Sequence, residues 1–304
     1  PGSLFLSRLL NQPDLNEASF MLKGYLFILN AACCWGFIGI FSSIAFAQGL
    51  EPMEISFWRA LFAWFCFATQ AVVSKQTHLD RKDIPLLVIF GVLGVFLFYV
   101  AYQYAVKTGG AALASVLLYT APAWVVVCSF FIYRERLGLA KIGAVILVIA
   151  GVFLISQGDG GASRGSSSVG LIAIVAGLVS GFCYSLYYTM GKYFSSRYTS
   201  ANLFLYVLPV GIVCMVPFVE FVPKNGSAWL ALISVSLIST YFANYCYYLG
   251  VKYLETGKAS ITATIEPVVA TVAAYFILGE SFGVAFYLGS LIIISAVLIS
   301  IKAK

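Results

Sequence analysis

Histidine is almost missing from this chain, charge is scarce, and long polar stretches are rarer still. The one histidine, His78, sits in the charged stretch from Lys75 to Asp83, so imidazole metal sites and Ser-His-Asp triads have nothing to build on. The seven cysteines, Cys33, Cys34, Cys66, Cys128, Cys183, Cys214 and Cys246, all lie inside apolar runs. None has metal-ligand spacing, and they read as small packing residues. There is no HExxH, no GxSxG, no phosphate-cradling loop with lysine, and no pair of carboxylates within an apolar run. No cofactor and no metal are expected. An intramembrane enzyme remains one alternative, and a channel or scaffold another.

Charged residues make up 10% of the chain against 61% hydrophobic, with a mean hydropathy of +0.95. No charge occurs between Lys23 and Glu51, Asp83 and Lys107, Lys107 and Arg134, Lys141 and Asp159, or Arg197 and Glu220. A hydrocarbon layer about 30 Å thick needs about twenty such residues per helix. A backbone in lipid must satisfy its own hydrogen bonds, and these unbroken runs lack the alternation of barrel strands. The spacing predicts an all-α membrane protein of ten spans, at 22–47, 52–74, 84–106, 109–132, 138–156, 169–194, 199–222, 227–251, 257–278 and 283–301.

Residues 1–21 form an N-terminal tail too short and too interrupted to span; Leu4 to Leu10 could lie on the membrane surface or fray, and Pro1-Gly2-Ser3 has the look of a tag remnant. The Gly- and Ser-rich tract 157–168 reads as a linker between two sets of five helices, 22–156 and 169–304. With a cytoplasmic amino terminus, the inner segments hold fourteen Lys and Arg and the outer loops three, Arg59 being set aside as embedded. That asymmetry puts both termini in the cytoplasm of a plasma (inner) membrane. The net charge of +6 then serves orientation and anionic headgroups, and no nucleic-acid partner is implied.

A displacement of 145 positions, the separation of Glu135 and Glu280, also superimposes Gly36 on Gly181, Tyr102 on Tyr247, Lys107 on Lys252, Ser115 on Ser260, Pro122 on Pro267 and Gly138 on Gly283. Each half holds an odd number of spans, so the second enters the membrane from the opposite side, as an inverted repeat. The turn Arg134-Glu135-Arg136-Leu137 carries two arginines that its counterpart Gly279-Glu280-Ser281-Phe282 lacks, as expected if only the first is cytoplasmic.

Two five-helix halves, prolines in the fourth and ninth spans followed by turns bearing Glu135 and Glu280, Trp35-Gly36, and Phe57-Trp58-Arg59-Ala60 resemble the EamA-type branch of the drug/metabolite transporter superfamily over Leu22 to Ile301. The resemblance implies a secondary transporter using alternating access to a central cavity lined by spans one, three, four, six, eight and nine. It also implies small metabolites as cargo, amino acids among them, often carried outward. Smooth small-residue faces such as Gly91 with Gly94 suit close helix packing and a rocking motion.

Polar groups at membrane depth are costly and therefore informative. Glu266 beside Pro267 reads as a substrate-ammonium or coupling-proton site, or as a structural hydrogen bond to a neighbouring helix. Arg59 reads as snorkelling to headgroups near Glu51 or Glu54, as structural, or as a contact for a substrate carboxylate. Tyr99, Tyr102 and Gln103 share one helical face, as do Tyr241, Asn244, Tyr245 and Tyr248, and the repeat displacement carries Tyr99 onto Asn244 and Gln103 onto Tyr248. The two faces are expected to look at each other. Tyr184, Tyr187 and Tyr188 form a further stripe, with Trp35, Tyr119 and Trp124 as further contributors. The expected substrate site is Trp35, Tyr99, Gln103, Tyr119, Tyr184, Asn244, Tyr248 and Glu266, suited to an amphiphile such as an aromatic amino acid. The remaining expected partners are the bilayer and protons, the chain acting as a monomer or weak homo-oligomer.

Overall fold

A computed structural model describes residues 13–121, 123–124, 139–156, 170–195, 197–253, 259, 262–263 and 265–302. Among these residues there is helix and connecting turn, and no strand. The elements are α1 Pro13–Gly36, α2 Ile38–Ala47, α3 Pro52–Val73, α4 Ile84–Phe90, α5 Phe98–Gly109, α6 Ala111–Leu118, α7 Leu139–Ser156, α8 Leu171–Ser195, α9 Ser200–Met215, α10 Gly226–Ser236, α11 Ala243–Gly250, α12 Glu266–Ala273 and α13 Val284–Lys302. π-helical turns at Gly91–Leu97 and Leu237–Phe242 join α4 to α5 and α10 to α11, and a third, Ala274–Leu278, extends α12.

Five segments are long and apolar enough to cross a membrane: Met21–Ala47, Pro52–Val73, Arg81–Gly109, Ser200–Phe218 and Gly226–Gly250. Shorter apolar helices lie at Val145–Leu154, Leu171–Tyr187, Glu266–Leu278 and Val284–Ala296. The chain is an all-helical integral membrane protein. Its exterior is apolar, with Phe65, Val72, Ile149, Phe153, Val213, Leu230, Phe276 and Leu291 exposed, as lipid contact requires. At Ser42, Ser56, Thr69, Thr108, Thr271 and Ser290 the hydroxyl donates to the helix carbonyl four residues back.

Helix ends follow local chemistry. Proline opens α1 and α3, where its missing N–H leaves nothing unpaired, so the first helix begins ahead of the expected Leu22. The Thr199 hydroxyl accepts from Asn202 N at 3.4 Å, and Asn225 Oδ1 from Ala228 N at 2.9 Å, capping α9 and α10. Near Pro217, α9 tightens into a 3-10 turn, Val216–Phe218, short of the expected residue 222. The tail residues Leu4 to Leu10, Pro122, the Glu135 turn and the 157–168 linker lie outside the described residues.

α5 packs on α8 and α11 on α1; α3 packs on α9, α12 on α6, and α13 on α7. Gly91 and Gly211 allow the first π segment to press against α9: a Cβ on Gly91 would overlap Val210, and one on Gly211 would overlap Val95.

Candidate functional site

Arg59, two turns into α3, points into the bundle and is 3% exposed. Its Nε donates to Thr240 Oγ1 at 2.8 Å, and the guanidinium lies 4.0 Å from the centroid of the Tyr99 ring. The π segment makes Thr240 available. Its hydroxyl donates to Val235 O, five residues back, at 2.9 Å, which turns an oxygen lone pair towards Arg59. Asn244 Nδ2 donates to the Thr240 carbonyl at 2.7 Å, closing the widened turn. Such π-helical turns often sit at functional sites.

Among the described residues no ion pair engages Arg59, and its Nη1 is buried without a partner. The carboxylates considered for it from sequence are engaged elsewhere: Glu51 pairs with Lys107 and Glu54 with Lys224. Gln103, one turn beyond Tyr99, is fully buried with neither amide atom paired, so no hydrogen bond joins it to Tyr248. The hydroxyls of Ser115 and Ser239 are also buried and unpaired.

Glu266 opens α12 and is 1% exposed. The Tyr119 hydroxyl lies 3.0 Å from Glu266 Oε2 and also meets the Ala263 carbonyl. A chain of rings joins this group to the first: Tyr119 meets Tyr184, Tyr184 meets Phe98, and Phe98 meets Tyr99. Aromatic rings surround them. Tyr184 stacks on Phe98 at 5.7 Å and lies 6.5 Å from Tyr119. Tyr187 packs edge-on to Phe98 at 5.5 Å. Trp35, 8% exposed, packs on Tyr247 at 5.3 Å, and Tyr248 lies between Tyr247 and Phe204. Of the residues expected from sequence, Arg59 and Asn244 therefore meet through Thr240, with Tyr99 against the Arg59 guanidinium, and Tyr119, Tyr184 and Glu266 form a second group. Trp35 and Tyr248 belong to the Tyr247 wall.

Each end of the bundle is tied. At one, Asp83 accepts from the Tyr198 hydroxyl at 2.7 Å, the Tyr193 hydroxyl at 3.1 Å and Arg197 Nη1 at 3.0 Å. Nearby, Asn202 Nδ2 donates to His78 O at 2.8 Å and Thr199 Oγ1 to Gln76 Oε1 at 2.7 Å. At the other end Asn225 Nδ2 donates to Gln48 Oε1, beside the Glu51–Lys107 and Glu54–Lys224 pairs. There too Glu280 accepts from the first N–H groups of α6, Ala111 at 3.0 Å and Ala112 at 3.4 Å, an anion at a helix N-terminus. Gly110, at φ 86°, makes the turn, and any side chain on it would strike the Glu280 carboxylate.

A family model described as the EamA-like transporter family matches residues 22–157 and 171–302. An "Uncharacterized inner membrane transporter YicL" of Salmonella typhimurium is 26% identical over 292 residues, covering 93% of this chain and 96% of its own length. An "Uncharacterized transporter" of Archaeoglobus fulgidus is 25% identical over 289 residues, covering 93% and 100%. An "Uncharacterized transporter YdfC" of Bacillus subtilis is 23% identical over 255 residues, covering 82% of each. A solved crystal structure at 20% identity superposes with a TM-score of 0.62 over 93% of this chain and 96% of its own, a likeness of fold.

Proposed function

The chain belongs to the EamA-like transporter family, and on that premise we propose a secondary transporter that carries a small zwitterionic amphiphile, an amino acid or close relative, outward across the plasma membrane by alternating access. One observation carries the substrate class. A guanidinium with an unpartnered nitrogen and a carboxylate held by a phenol share the bundle interior without pairing with each other. Burying a charge without an ionic partner is expensive, and a substrate with one carboxylate and one ammonium compensates the Arg59 guanidinium and, once Glu266 has released its proton, the Glu266 carboxylate. Arg59 takes the carboxylate, Glu266 the ammonium, and the Tyr99, Tyr184 and Tyr187 rings take the apolar body. Glu266 is also the coupling proton's site. One phenolic proton on Tyr119 faces two acceptors, and the arrangement is complete when Glu266 carries a proton and donates to the phenol oxygen.

A duplicated architecture is supported by pairings that mirror one another, the contact of α5 with α8 corresponding to that of α11 with α1; ten spans rest on the charge-free runs, and both termini cytoplasmic on the Lys and Arg asymmetry of the loops. The displacement of 145 positions that aligns the sequence halves carries the π segment Gly91–Leu97 onto residues 236–242, where Leu237–Phe242 is also π-helical.

The test is flux of an aromatic amino acid into proteoliposomes, with and without a pH gradient. Arg59→Gln should lower flux about tenfold or more, the order of one lost charge-assisted bond, and an amine lacking the carboxylate should be unaffected by that substitution. Glu266→Gln should abolish gradient dependence. Equal gradient dependence in wild type and Glu266→Gln removes the residue from coupling.

A further inference from the structure

At the Glu51 end, an irregular loop over residues 219–225 turns one side chain inward. Glu220, Phe221, Pro223 and Asn225 are exposed, whereas the Lys224 side chain is 5% exposed and pairs with Glu54, which is 0% exposed. The Lys224 ammonium stands 5.4 Å from the ring centroid of Trp58, 5.7 Å from Phe221 and 5.4 Å from Trp229. It also donates to Val222 O at 2.8 Å. The carboxylate is itself held in place, accepting from Trp58 Nε1 at 3.3 Å and Val222 N at 3.5 Å.

Three aromatic rings around one nitrogen, above a carboxylate, are the chemistry that recognises organic ammonium ions. We propose that this cage is a binding site for a methylated ammonium ion and that Lys224 is its tethered, displaceable occupant. The rings stand back from Nζ, which leaves room for methyl groups on a nitrogen in its place. A buried ion pair stabilises a fold little compared with apolar side chains of the same volume, so holding the loop does not by itself call for a lysine on a buried acid. Lys224 rides on an exposed loop, and its departure requires rearrangement of that loop alone. A free ammonium then restores the charge balance of Glu54, which Lys224 leaves unpaired. The site rests on the geometry of this end and stands or falls independently of what the bundle carries.

The experiment is calorimetric titration of the purified full chain in detergent micelles with tetramethylammonium chloride, against sodium chloride at equal ionic strength. A tethered competitor acts at an effective concentration of about millimolar, so Lys224→Gln should bind about tenfold or more tightly than wild type. Saturable heat should vanish in the Glu54→Gln/Lys224→Gln double variant. Because Lys224→Gln leaves a buried carboxylate unpaired and is a risk to folding, a second measurement uses wild type. Acetylation of Lys224, followed by mass spectrometry, should rise severalfold on adding tetramethylammonium while that of exposed Lys75 stays constant. Absence of saturable heat in folded Lys224→Gln, or Lys224 acetylation indifferent to tetramethylammonium, overturns the assignment.

Discussion

Thr240 performs two tasks with one hydroxyl: its proton goes to Val235 O and its lone pair to Arg59 Nε. Removing the hydroxyl strands a second guanidinium nitrogen beside the unpartnered Nη1, in a setting where water is scarce. Thr240→Val, nearly the same shape, should therefore destabilise the protein by about 1–3 kcal/mol. Thr240→Ser, which keeps the oxygen, should recover most of that. Thermal unfolding in detergent checks the pair, and equal midpoints for wild type and Thr240→Val would show that Arg59 does not depend on this contact. Arg59 and Glu266 were legible in sequence because a charge in an apolar run stands out. Thr240 was not, since a threonine within a helix ordinarily satisfies itself on its own backbone. Neither was the cage around Lys224, because Glu54 and Trp58 on α3, Phe221 on the 219–225 loop and Trp229 on α10 come from three parts of the chain that only the fold brings together.

At the scale of elements, positions of the long helices were readable from runs poor in charge, but ends were not: Pro13 opens α1 ahead of the expected Leu22, and α9 tightens at Val216–Phe218 short of residue 222. The π segments were not, because they have the same apolar composition as the helices they interrupt, and they decide where Thr240 and Tyr99 face. The connection between α3 and α4 is held differently, by polar bonds at the Asp83 end. There the Asp83 carboxyl is held below its ordinary value of 3.8, first by the Tyr198 hydrogen bond, with Arg197 and Tyr193 adding to it and burial opposing. A group depressed in this way contributes stability that is complete above the unfolded value and disappears as pH falls through the lower folded value. Backbone amides of residues 76–83, followed by hydrogen exchange corrected for intrinsic rates, should keep constant protection from pH 8 to about pH 5, and lose it only below about pH 4. Tyr198→Phe should show weaker protection throughout. Loss of wild-type protection between pH 8 and 5 would mean that some other group controls this connection.

For the whole molecule, the two tied ends matter together. At one end Gln76 meets Thr199 and Asp83 meets Arg197; at the other Gln48 meets Asn225 and Glu54 meets Lys224. A carrier working by alternating access must undo one set while keeping the other, since opening both would leave a pore. Glycines seated on a facing valine, as Gly91 on Val210 and Gly211 on Val95, permit such rocking because one side of each contact is smooth. With the native cysteines replaced, a short bifunctional thiol reagent across Gln76→Cys and Thr199→Cys, or across Gln48→Cys and Asn225→Cys, should stop net flux in proteoliposomes, and a reducible reagent should restore it on reduction. A central-site binder should still be held when one end alone is locked, because the other end remains free to admit it. Undiminished flux with either end locked would mean that end does not open during transport, and the path would have to lie elsewhere in the bundle.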